Sequence, residues 1–463
     1  MPAPRHDAIV LGAGMSGLAA AIRLAQYDRR VLLLERHALC GGLNSWYKRA
    51  GRRLDTGLHA LTNYAPRGAP GAPLTKILRQ LRLSWDDLRL APQSRSEIVF
   101  PGRRLCFSNE IELLESEVAR VFPGSRPGFA ALLAAVRAAE PFDPEAPFAS
   151  ARAQLAGFAL ERDLSEMLLM PVLWYGSALE QDVGWNDFVI LFRSIFLEGF
   201  ARPEGGIKTL LDLLVARARE AGVELRLNTP VRRILVEDGA ARGVELEDGE
   251  QIECEQLYSS AGWVETRALA GTPAPEEERG WVTLFEHLCV TRRPHRARGH
   301  EAAITFFSSV ESPRWSPPRE LVSFESGVIC CSDNYRTREE PGEGLLRATL
   351  LADHDRWSAL PEEEYVAAKE RCAAQLEELC AQHVPDPRPE ALFRDSFTPR
   401  SIRHWTAHAG GAVYGSPRRH RDGNSGIGNL FLIGNDQGLV GVTGALLSGI
   451  TMANRHGLYA RST

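Results

Sequence analysis

The chain has 463 residues, of which 54 are basic and 59 acidic, so its net charge is -5. This length exceeds one compact core and predicts two or three domains, while the charge balance gives no electrostatic case for nucleic acid as a partner. The sequence lacks the roughly 18 uninterrupted apolar residues of a spanning helix and the pattern of a secretory signal, so we expect a cytoplasmic protein, at most attached to a membrane surface.

The first unit reads as a strand, a glycine turn, a helix and a second strand. Residues 7–11 are β-rich, 15–27 have helical character, and 31–34 form a short apolar run typical of a buried parallel strand. Between the first strand and the helix stands Gly-Ala-Gly-Met-Ser-Gly at 12–17, and Glu35 ends the next strand. The spacing predicts a dinucleotide site with a pyrophosphate at the helix N-terminus and ribose hydroxyls at Glu35.

The rest of the chain alternates between segments predicted as loop, helix and strand. Residues 66–73 read as a loop and 74–200 as mostly helical, and 207–220 as a helix followed by short strands with Asp-Gly turns at 238–239 and 248–249. A buried strand is expected at 257–261, a mixed α/β region at 265–394, and a strand and a helix at 430–434 and 444–454. The eight cysteines form no Cys-x-x-Cys and have no histidine at zinc-like spacing, so no metal site is predicted.

An aromatic series lies in the middle of the chain, where four phenylalanines step by four residues along one helical face. Two interpretations stay open. The series is the buried face of a helix that packs into the protein core, or it is the wall of an apolar tunnel for a polyene or other lipid-like substrate. Its members are Trp185, Phe188, Phe192, Phe196 and Phe200.

FAD and NAD share the glycine fingerprint, and the segments that follow favour FAD. Gly41-Gly42, the segment Thr229 to Ile234 around Val231, and the C-terminal Gly434 with 441–449 resemble the FAD-binding elements of the amine oxidase and carotenoid desaturase superfamily. The closer resemblance is to phytoene dehydrogenase-like proteins, which include carotenoid desaturases, carotenoid isomerases and retinol saturases. It is carried by Asp-Thr-Gly-Leu-His at 55–59, Phe-Pro-Gly at 122–124, Arg-Pro-Glu-Gly-Gly at 202–206, Thr-Pro at 398–399 and Gly-Gly-Ala-Val-Tyr-Gly at 410–415.

The resemblance implies an α/β fold with a discontinuous Rossmann-type FAD-binding domain and an α+β substrate domain formed by insertions. The expected FAD-binding domain comprises 1–65, 203–265 and 395–463, and the expected substrate domain, partly helical, comprises 66–202 and 266–394. Where the family has Gly-Asp after the last strand, this chain has Gly434-Asn435-Asp436, and either of the last two residues could hold the ribitol–phosphate region. The implied cofactor-binding residues are Gly12, Gly14, Ser16, Gly17, Glu35, Arg36, Gly41, Gly42, Val231, Gly434, Asn435, Asp436, Val442 and Thr443.

The resemblance implies hydride transfer between the flavin N5 and a C–H of the substrate, with the protein positioning the substrate and excluding water. His59 is the candidate for an acid/base or polarising role, against a packed structural histidine. Tyr414 is a second candidate because its glycine-rich surroundings indicate close backbone approach. No second glycine fingerprint is present, so a dedicated nicotinamide-nucleotide domain is not expected.

We therefore expect an FAD-dependent desaturase, saturase or isomerase acting on an apolar, isoprenoid or polyene, substrate. The alternatives are an amine-oxidase-like flavoenzyme that oxidises a C–N bond and a flavin-binding chaperone or scaffold without turnover. The basic run Arg-Arg-His-Arg at 418–421 is expected as a solvated loop, or as a peripheral contact to anionic lipid headgroups. The oligomeric state stays open.

Overall fold

The computed structural model describes residues 5–143 and 147–459. The outermost residues of the predicted FAD-binding domain, 1–4 and 460–463, and residues 144–146 of the predicted substrate domain lie outside these ranges. Within them, no helix is long and apolar enough to cross a membrane.

The strands are β1 (His6–Leu11), β2 (Val31–Leu34), β3 (Trp46–Arg49), β4 (Arg52–Asp55), β5 (Leu90–Pro92), β6 (Arg95–Phe100), β7 (Arg103–Phe107), β8 (Ala201–Pro203), β9 (Glu224–Arg226), β10 (Val231–Glu237), β11 (Ala240–Leu246), β12 (Gln251–Ser259), β13 (Thr283–Thr291), β14 (Ala302–Ser308), β15 (Val322–Cys331), β16 (Gly344–Ala352), β17 (Ala391–Phe397) and β18 (Leu430–Leu432). The helices are α1 (Met15–Ala25), α2 (Pro73–Leu81), α3 (Ile111–Val121), α4 (Arg126–Ala138), α5 (Ala151–Ala156), α6 (Arg162–Gly176), α7 (Trp185–Phe192), α8 (Ile207–Glu220), α9 (Trp263–Leu269), α10 (His354–Ala359), α11 (Glu362–Cys380), α12 (Pro399–Thr406) and α13 (Gly441–Met452).

The first sheet has a parallel centre in the order β9-β2-β1-β12-β18, and the early part of β12 joins an antiparallel hairpin formed by β10 and β11. All four residues of β2 are buried, as a parallel strand covered on both faces requires. The predicted βαβ unit is confirmed. Both predicted Asp-Gly turns are also confirmed, because they connect β10 to β11 and β11 to β12 with the glycines at positive φ.

Helix α1 packs against α13 at very short range. A Cβ atom on Gly449 of α13 would overlap the backbone carbonyl of Ser16 in α1, so only glycine allows this approach. The contact holds the C-terminal helix of the chain beside the N-terminal one. Both helices therefore begin at the same edge of the first sheet.

The second sheet has the order β17-β13-β16-β15-β14-β6-β7 and is antiparallel except for the β14–β6 pair. The expectation that residues 74–200 are mostly helical is wrong for β5, β6 and β7. Strands β6 and β7 form a hairpin whose turn contains Gly102 at φ +68°, and they add to the edge of a sheet built mainly from residues beyond 282. Their β structure is stabilised by pairing with β14, which lies about two hundred positions later in the chain.

The aromatic series belongs to the core. Helix α7 continues into a π turn at 193–197, and the phenylalanines lie against one another and against Phe107 of the second sheet. Phe107 in turn stacks on Phe306. The four phenylalanines, each 0% exposed, are Phe188, Phe192, Phe196 and Phe200. None of the four lines the large cavity described next. The tunnel-wall interpretation is therefore wrong and the core interpretation is confirmed.

Candidate active site

A cavity of about 800 Å³ lies between the two sheets. On one side it is lined by residues that follow the carboxyl ends of parallel strands, namely Gly12 after β1, Glu35 after β2 and Ser260 after β12. On the other side it is lined by the face of the second sheet. Clefts at the carboxyl ends of parallel strands are the usual ligand sites of such sheets, because backbone N–H groups and helix N-termini converge there.

The three fingerprint glycines have separate structural reasons. Gly12 has φ +89°, and a Cβ there would stand 2.5 Å from the hydroxyl oxygen of Ser260. A Cβ on Gly17 would overlap the carbonyl oxygen of Gly12, so Gly17 lets α1 start close to β1. A Cβ on Gly14 would meet no protein atom within 4 Å and would enter the cavity. The open space at Gly14 fits a phosphate group at the N-terminus of α1.

Glu35 stands at the other end of this turn. Its carboxylate accepts hydrogen bonds from the backbone N–H groups of Ala13, at 2.8 Å, and His37, at 2.9 Å. These two bonds hold the side chain beside the glycine turn, and each carboxylate oxygen keeps a lone pair for a hydroxyl group. These acceptor oxygens fit the ribose hydroxyls of a dinucleotide.

The glycine pair closes the cavity from the next segment. Gly41 has φ +126° and donates its N–H to the carbonyl of Ala13 at 2.8 Å. A Cβ on Gly42, at φ +58°, would lie 3.6 Å from the Cα of Gly14. The pair therefore lies directly against the glycine turn.

The C-terminal segment meets the same cavity at the start of α13. Gly434 has φ +93°, and a Cβ there would stand 3.1 Å from the hydroxyl oxygen of Ser16. Asp436 is buried and accepts hydrogen bonds from the backbone N–H groups of Trp263, at 2.6 Å, and Ser416, at 2.5 Å. Burial raises the pKa of Asp436, although these two bonds and Arg419 oppose the effect.

Asn435 and Asp436 both line the cavity but differ in whether their side-chain oxygens already accept hydrogen bonds. The Asn435 amide nitrogen donates to the carbonyl of Val413 at 2.8 Å, which leaves its amide oxygen without a partner among the described residues. Each carboxylate oxygen of Asp436 already holds one backbone N–H. The structure therefore gives Asp436 a clear role in joining three loops.

Most of the predicted cofactor-binding residues come together at this cavity, although they are spread over more than 400 positions of the chain. Gly17 and Thr443 do not line it. Gly17 lies in the contact between α1 and β1, and the Thr443 hydroxyl donates to the carbonyl of Thr62 at 3.1 Å. Those that line it are Gly12, Gly14, Ser16, Glu35, Arg36, Gly41, Gly42, Val231, Gly434, Asn435, Asp436 and Val442.

His59 and Tyr414 also line the cavity. The Nε2 atom of His59 lies 2.9 Å from the hydroxyl oxygen of Thr349. Burial, assisted by the positive charges of Arg347 and Arg202, lowers the pKa of His59 to about 3. The Tyr414 hydroxyl donates to the carbonyl of Trp174, and burial raises the pKa of this tyrosine. At neutral pH both side chains are therefore uncharged.

The second sheet contributes two apolar side chains, one hydroxyl group and one acidic group to the cavity wall. The wall residues are Leu284, Glu286, Val328 and Thr349. Glu286 accepts a hydrogen bond from Arg347 at 2.5 Å, and the Arg347 side chain is 0% exposed. The same guanidinium also donates to the backbone carbonyls of Asp55 and Thr56. Arg347 thus joins the second sheet to the segment that carries His59.

The basic run at 418–421 makes internal contacts. Arg418 donates to Glu278 at 2.7 Å and Arg421 to Asp187 at 2.8 Å. Arg419 donates to the backbone carbonyls of Tyr414, at 2.8 Å, and Asn435, at 3.1 Å. The expectation of a solvated loop is wrong for Arg419 and Arg421, whose guanidinium groups hold neighbouring segments together.

This geometry was compared with known proteins. The family described as flavin containing amine oxidoreductase matches residues 15–455. The chain belongs to this family. It is an FAD-dependent oxidoreductase, and the predicted cofactor and enzyme class are confirmed.

The relatives of this flavin oxidoreductase include an isomerase and a reductase of the protein classes that the motifs indicated. It is 22% identical to the chloroplastic prolycopene isomerase of Arabidopsis thaliana, over 97% of this chain and 82% of that protein. It is 22% identical to the all-trans-retinol 13,14-reductase of Danio rerio, over 96% of this chain and 85% of that protein. An oxidoreductase from Methanosarcina mazei has the same fold, with a TM-score of 0.66 at 17% identity, covering 97% of this chain and 100% of that one. These matches confirm the predicted resemblance and the mixed α/β fold class.

Sequence reasoning about this flavin oxidoreductase missed the polar groups on the second-sheet side. Asp55 and Arg202 lie in two of the motifs that carried the resemblance, so their pairing could have been suspected. Glu286 and Arg347 lie 61 positions apart in the region that the sequence left as mixed α/β. Neither belongs to a recognisable motif, so no local signal was available for that pair.

Proposed function

We propose that the protein catalyses desaturation, saturation or isomerisation at the C–H and C=C bonds of an apolar, isoprenoid or polyene, substrate. The observation that supports this most is the cavity wall on the second sheet, where Leu284 and Val328 face the site and the polar groups of Glu286 and Thr349 are already paired within the protein. Sites of this kind favour apolar ligands, because few unpaired polar groups are left to be desolvated.

The glycine turn and Glu35 are suited to hold the adenosine diphosphate part of FAD. The open space at Gly14 would take the pyrophosphate, Glu35 the ribose hydroxyls, and Val231 would border the adenine. Gly434, the Asn435 amide oxygen and the first turn of α13 at Val442 would hold the ribitol–phosphate region, because helix N–H groups there lack partners within the helix. When bound, the flavin supplies the two-electron exchange with a substrate C–H bond.

The protein's own residues position the substrate and exclude water. His59, neutral at physiological pH, is suited to a polarising role, and Tyr414 to shaping the wall through its bond to Trp174. We also propose the domain division expected from the sequence. Its support is that the first sheet draws its strands from 1–65 and 203–265 with β18, and the second sheet draws most of its strands from 66–202 and 266–394.

The proposal competes with oxidation of an amine and with a flavin-binding scaffold. Charge weighs against a cationic amine, because the Glu286 carboxylate is already paired with Arg347 and a second guanidinium, Arg202, lies near His59. An ammonium group would lose its hydration and find no free carboxylate on this wall. A scaffold would bind FAD without any exchange of electrons with a substrate.

An anaerobic titration of the purified holoprotein distinguishes the three functions. Candidate polyenes and amines are added separately, flavin absorbance is followed, and products are identified by mass. We expect polyenes to change the flavin absorbance or to be converted, with amines inert. Bleaching by amines alone would overturn the proposal in favour of amine oxidation, and full FAD occupancy without any response would favour the scaffold.

A matched pair of variants adds a structural control. Leu284→Glu places a charge on the apolar wall and is expected to abolish the response to polyenes. Leu392→Glu makes the same change on β17 at a side chain that is 43% exposed, and is expected to leave the response unchanged. Both variants are first checked for FAD content. Peripheral membrane contact and cytoplasmic location stay predictions of the sequence.

A further inference from the structure

A carboxylate on the cavity wall needs an explanation. On β13 the side chains of Leu284 and Glu286 face the cavity, whereas Phe285 between them packs into the core behind the sheet. An aliphatic residue would continue the apolar wall at position 286. Burying a carboxylate and a guanidinium together is seldom a net gain in stability over apolar side chains of the same size. Among the described residues of the second sheet that line the cavity, Glu286 is the one that carries an acidic group.

Three groups form a continuous hydrogen-bonded chain at this point. Glu286 lies directly opposite Thr349 in the register of β13 and β16. The Thr349 hydroxyl donates to Oε2 of Glu286 at 3.3 Å and lies 2.9 Å from Nε2 of His59. The direct distance from His59 Nε2 to Glu286 Oε2 is 3.7 Å. All three residues line the cavity.

We propose that Glu286 is the catalytic residue that exchanges a proton with the substrate, and that Thr349 and His59 are positioning residues that hold this proton in a hydrogen-bonded relay. The proposal rests on the function proposed above. In desaturation one substrate C–H bond breaks with transfer of its hydrogen and electron pair to the flavin as oxidant. The neighbouring C–H bond breaks, its electron pair forms the new C=C bond, and its proton goes to the Glu286 carboxylate. Saturation is the reverse reaction: the reduced flavin is the reductant that supplies the hydrogen with its electron pair, and protonated Glu286 supplies the proton.

The relay has two hydrogen-bond directions that match the two protonation states of Glu286. A threonine hydroxyl carries one hydrogen, so when it donates to the ionised Glu286, its oxygen accepts from the Nε2–H of His59. When Glu286 is protonated on Oε2, it donates to Thr349 and Thr349 donates to Nε2. This arrangement requires the other tautomer of His59, in which Nε2 has released its proton to water in the cavity and Nδ1 has taken one up. The histidine stays neutral in both arrangements, which agrees with its lowered pKa of about 3.

The electrostatic surroundings suit a group that changes its protonation state. Arg347 contacts Glu286 directly, and Tyr47 and Arg202 lie within electrostatic reach of Glu286 and His59 respectively. Burial raises the pKa of Glu286, against the opposing effects of Arg347 and Thr349. A carboxylate whose pKa is raised is a stronger proton acceptor than an ordinary glutamate, as a general base requires.

The test compares Glu286→Gln with Glu377→Gln in the holoenzyme. Glu377 is also a buried carboxylate on this half of the molecule, bonded to His287 at 3.1 Å and Arg394 at 2.7 Å, but it does not line the cavity. We expect Glu286→Gln to slow the polyene-dependent change of flavin absorbance at least about 100-fold, with FAD content retained. Glu377→Gln is expected to keep the wild-type rate even if it lowers stability.

A second measurement is independent of turnover. Infrared difference spectra of the substrate-free protein, recorded against pH, should show a protonated carboxyl band that persists above pH 4.5, the ordinary glutamic acid value. Other buried carboxyl groups with a raised pKa, such as Glu198 and Asp436, also contribute to this band. The Glu286 component should be lost from the band in Glu286→Gln and kept in Glu377→Gln. Thr349→Val removes a hydrogen bond that lowers the Glu286 pKa, so it should shift both this band and the pH profile of the reaction toward higher pH.

The outcomes separate this assignment from the function on which it rests. A wild-type protein that responds to no polyene overturns the proposed function and the assignment together. A wild-type response that Glu286→Gln leaves unchanged overturns the assignment alone, as does a pH profile that Thr349→Val does not move. Loss of the Glu286 component of the carboxyl band, together with the slowed reaction in Glu286→Gln, supports it.

Discussion

Arg202 and Asp55 form an ion pair whose side chains are only 10% and 5% exposed. The second carboxylate oxygen of Asp55 accepts the backbone N–H of Ile207, the first residue of α8, at 3.1 Å. The Arg202 guanidinium also donates to the carbonyl of Leu58 at 2.7 Å. One carboxylate therefore connects β4, β8 and α8, and it fixes the backbone that leads to His59.

Replacement of Asp55 by Asn should destabilise the protein strongly. The change leaves the Arg202 charge buried without its counter-charge, which typically costs about 3–5 kcal/mol in the free energy of unfolding. Glu343→Gln is the matched control, because Glu343 pairs with Arg52 at 2.6 Å on the surface, with a side chain 43% exposed, and such pairs contribute about 0–1 kcal/mol. Urea denaturation of both variants measures the difference, and equal losses would contradict the expected role of Asp55.

Gly14→Val should lose FAD while the protein still folds. The added side chain meets no protein atom near its Cβ but enters the space expected for the pyrophosphate. We expect FAD affinity to fall at least about 10-fold, equivalent to about 1.4 kcal/mol. The measurement is the FAD content and dissociation constant of the purified protein, with circular dichroism to check folding. Gly342→Val is the control, since that glycine also has open space at its Cβ and lies away from the cavity; retention of full FAD affinity by Gly14→Val would count against the assigned cofactor site.

Phe192→Leu should lower stability without changing the response to substrate. Phe192 is 0% exposed and packs between Phe188, at a ring distance of 5.5 Å, and Phe196, at 4.8 Å. Loss of the ring should cost about 1–3 kcal/mol, read as a lower thermal midpoint of the holoprotein. Phe142→Leu, at a side chain 61% exposed, should leave the midpoint unchanged. A change in substrate preference with unchanged stability would contradict this prediction and favour the interpretation of the series as a tunnel wall.

His59 makes a specific contribution to the acid sensitivity of the fold. Its pKa is about 3 in the folded protein and near 6.5 when unfolded, so between these values the unfolded chain binds a proton that the folded chain does not. Stability from this group is therefore complete above 6.5 and is lost as the pH falls toward 3. From about pH 7 to about pH 5 the loss should be about 2 kcal/mol.

His59→Gln removes that proton uptake and should give a flatter dependence of stability on pH. Urea denaturation of the wild-type holoprotein and the variant at the two pH values gives the comparison. His404→Gln, at an exposed ring, serves as the control and should follow the wild type. Parallel curves for wild type and His59→Gln would show that the ring is not held neutral by burial.

The nucleotide half of the site was predictable because its signals are local. A buried run, a glycine turn and a helix follow one another within about thirty residues, and the conformations they need are properties of single residues, such as the positive φ of Gly12 and the bare Cα of Gly14. The Asp-Gly turns of the β10–β12 hairpins are local in the same sense. Hydrogen-bonded turns and helix starts depend on few neighbours, so a short stretch of sequence specifies them.

The strands β6 and β7 were not predictable in the same way. Strand β6 pairs with β14, which is separated from it by about two hundred positions, and β7 pairs with β6. The free energy of this pairing outweighs weak local preferences. The aromatic series shows the same limit, because a helical spacing of phenylalanines indicates a buried face without saying what covers it. Only the contacts of Phe196 and Phe200 with Phe107 of the second sheet decide that it is core.

The sequence by itself determined the βαβ unit, the FAD-type glycine turn and the superfamily. The tertiary structure alone decided what stands opposite the cofactor. His59 meets Thr349 across 290 positions, and Arg347 reaches the backbone at Asp55 across 292. A proton relay depends on atoms brought within about 3 Å by the packing of two sheets. No pattern of residue types within one segment encodes that distance.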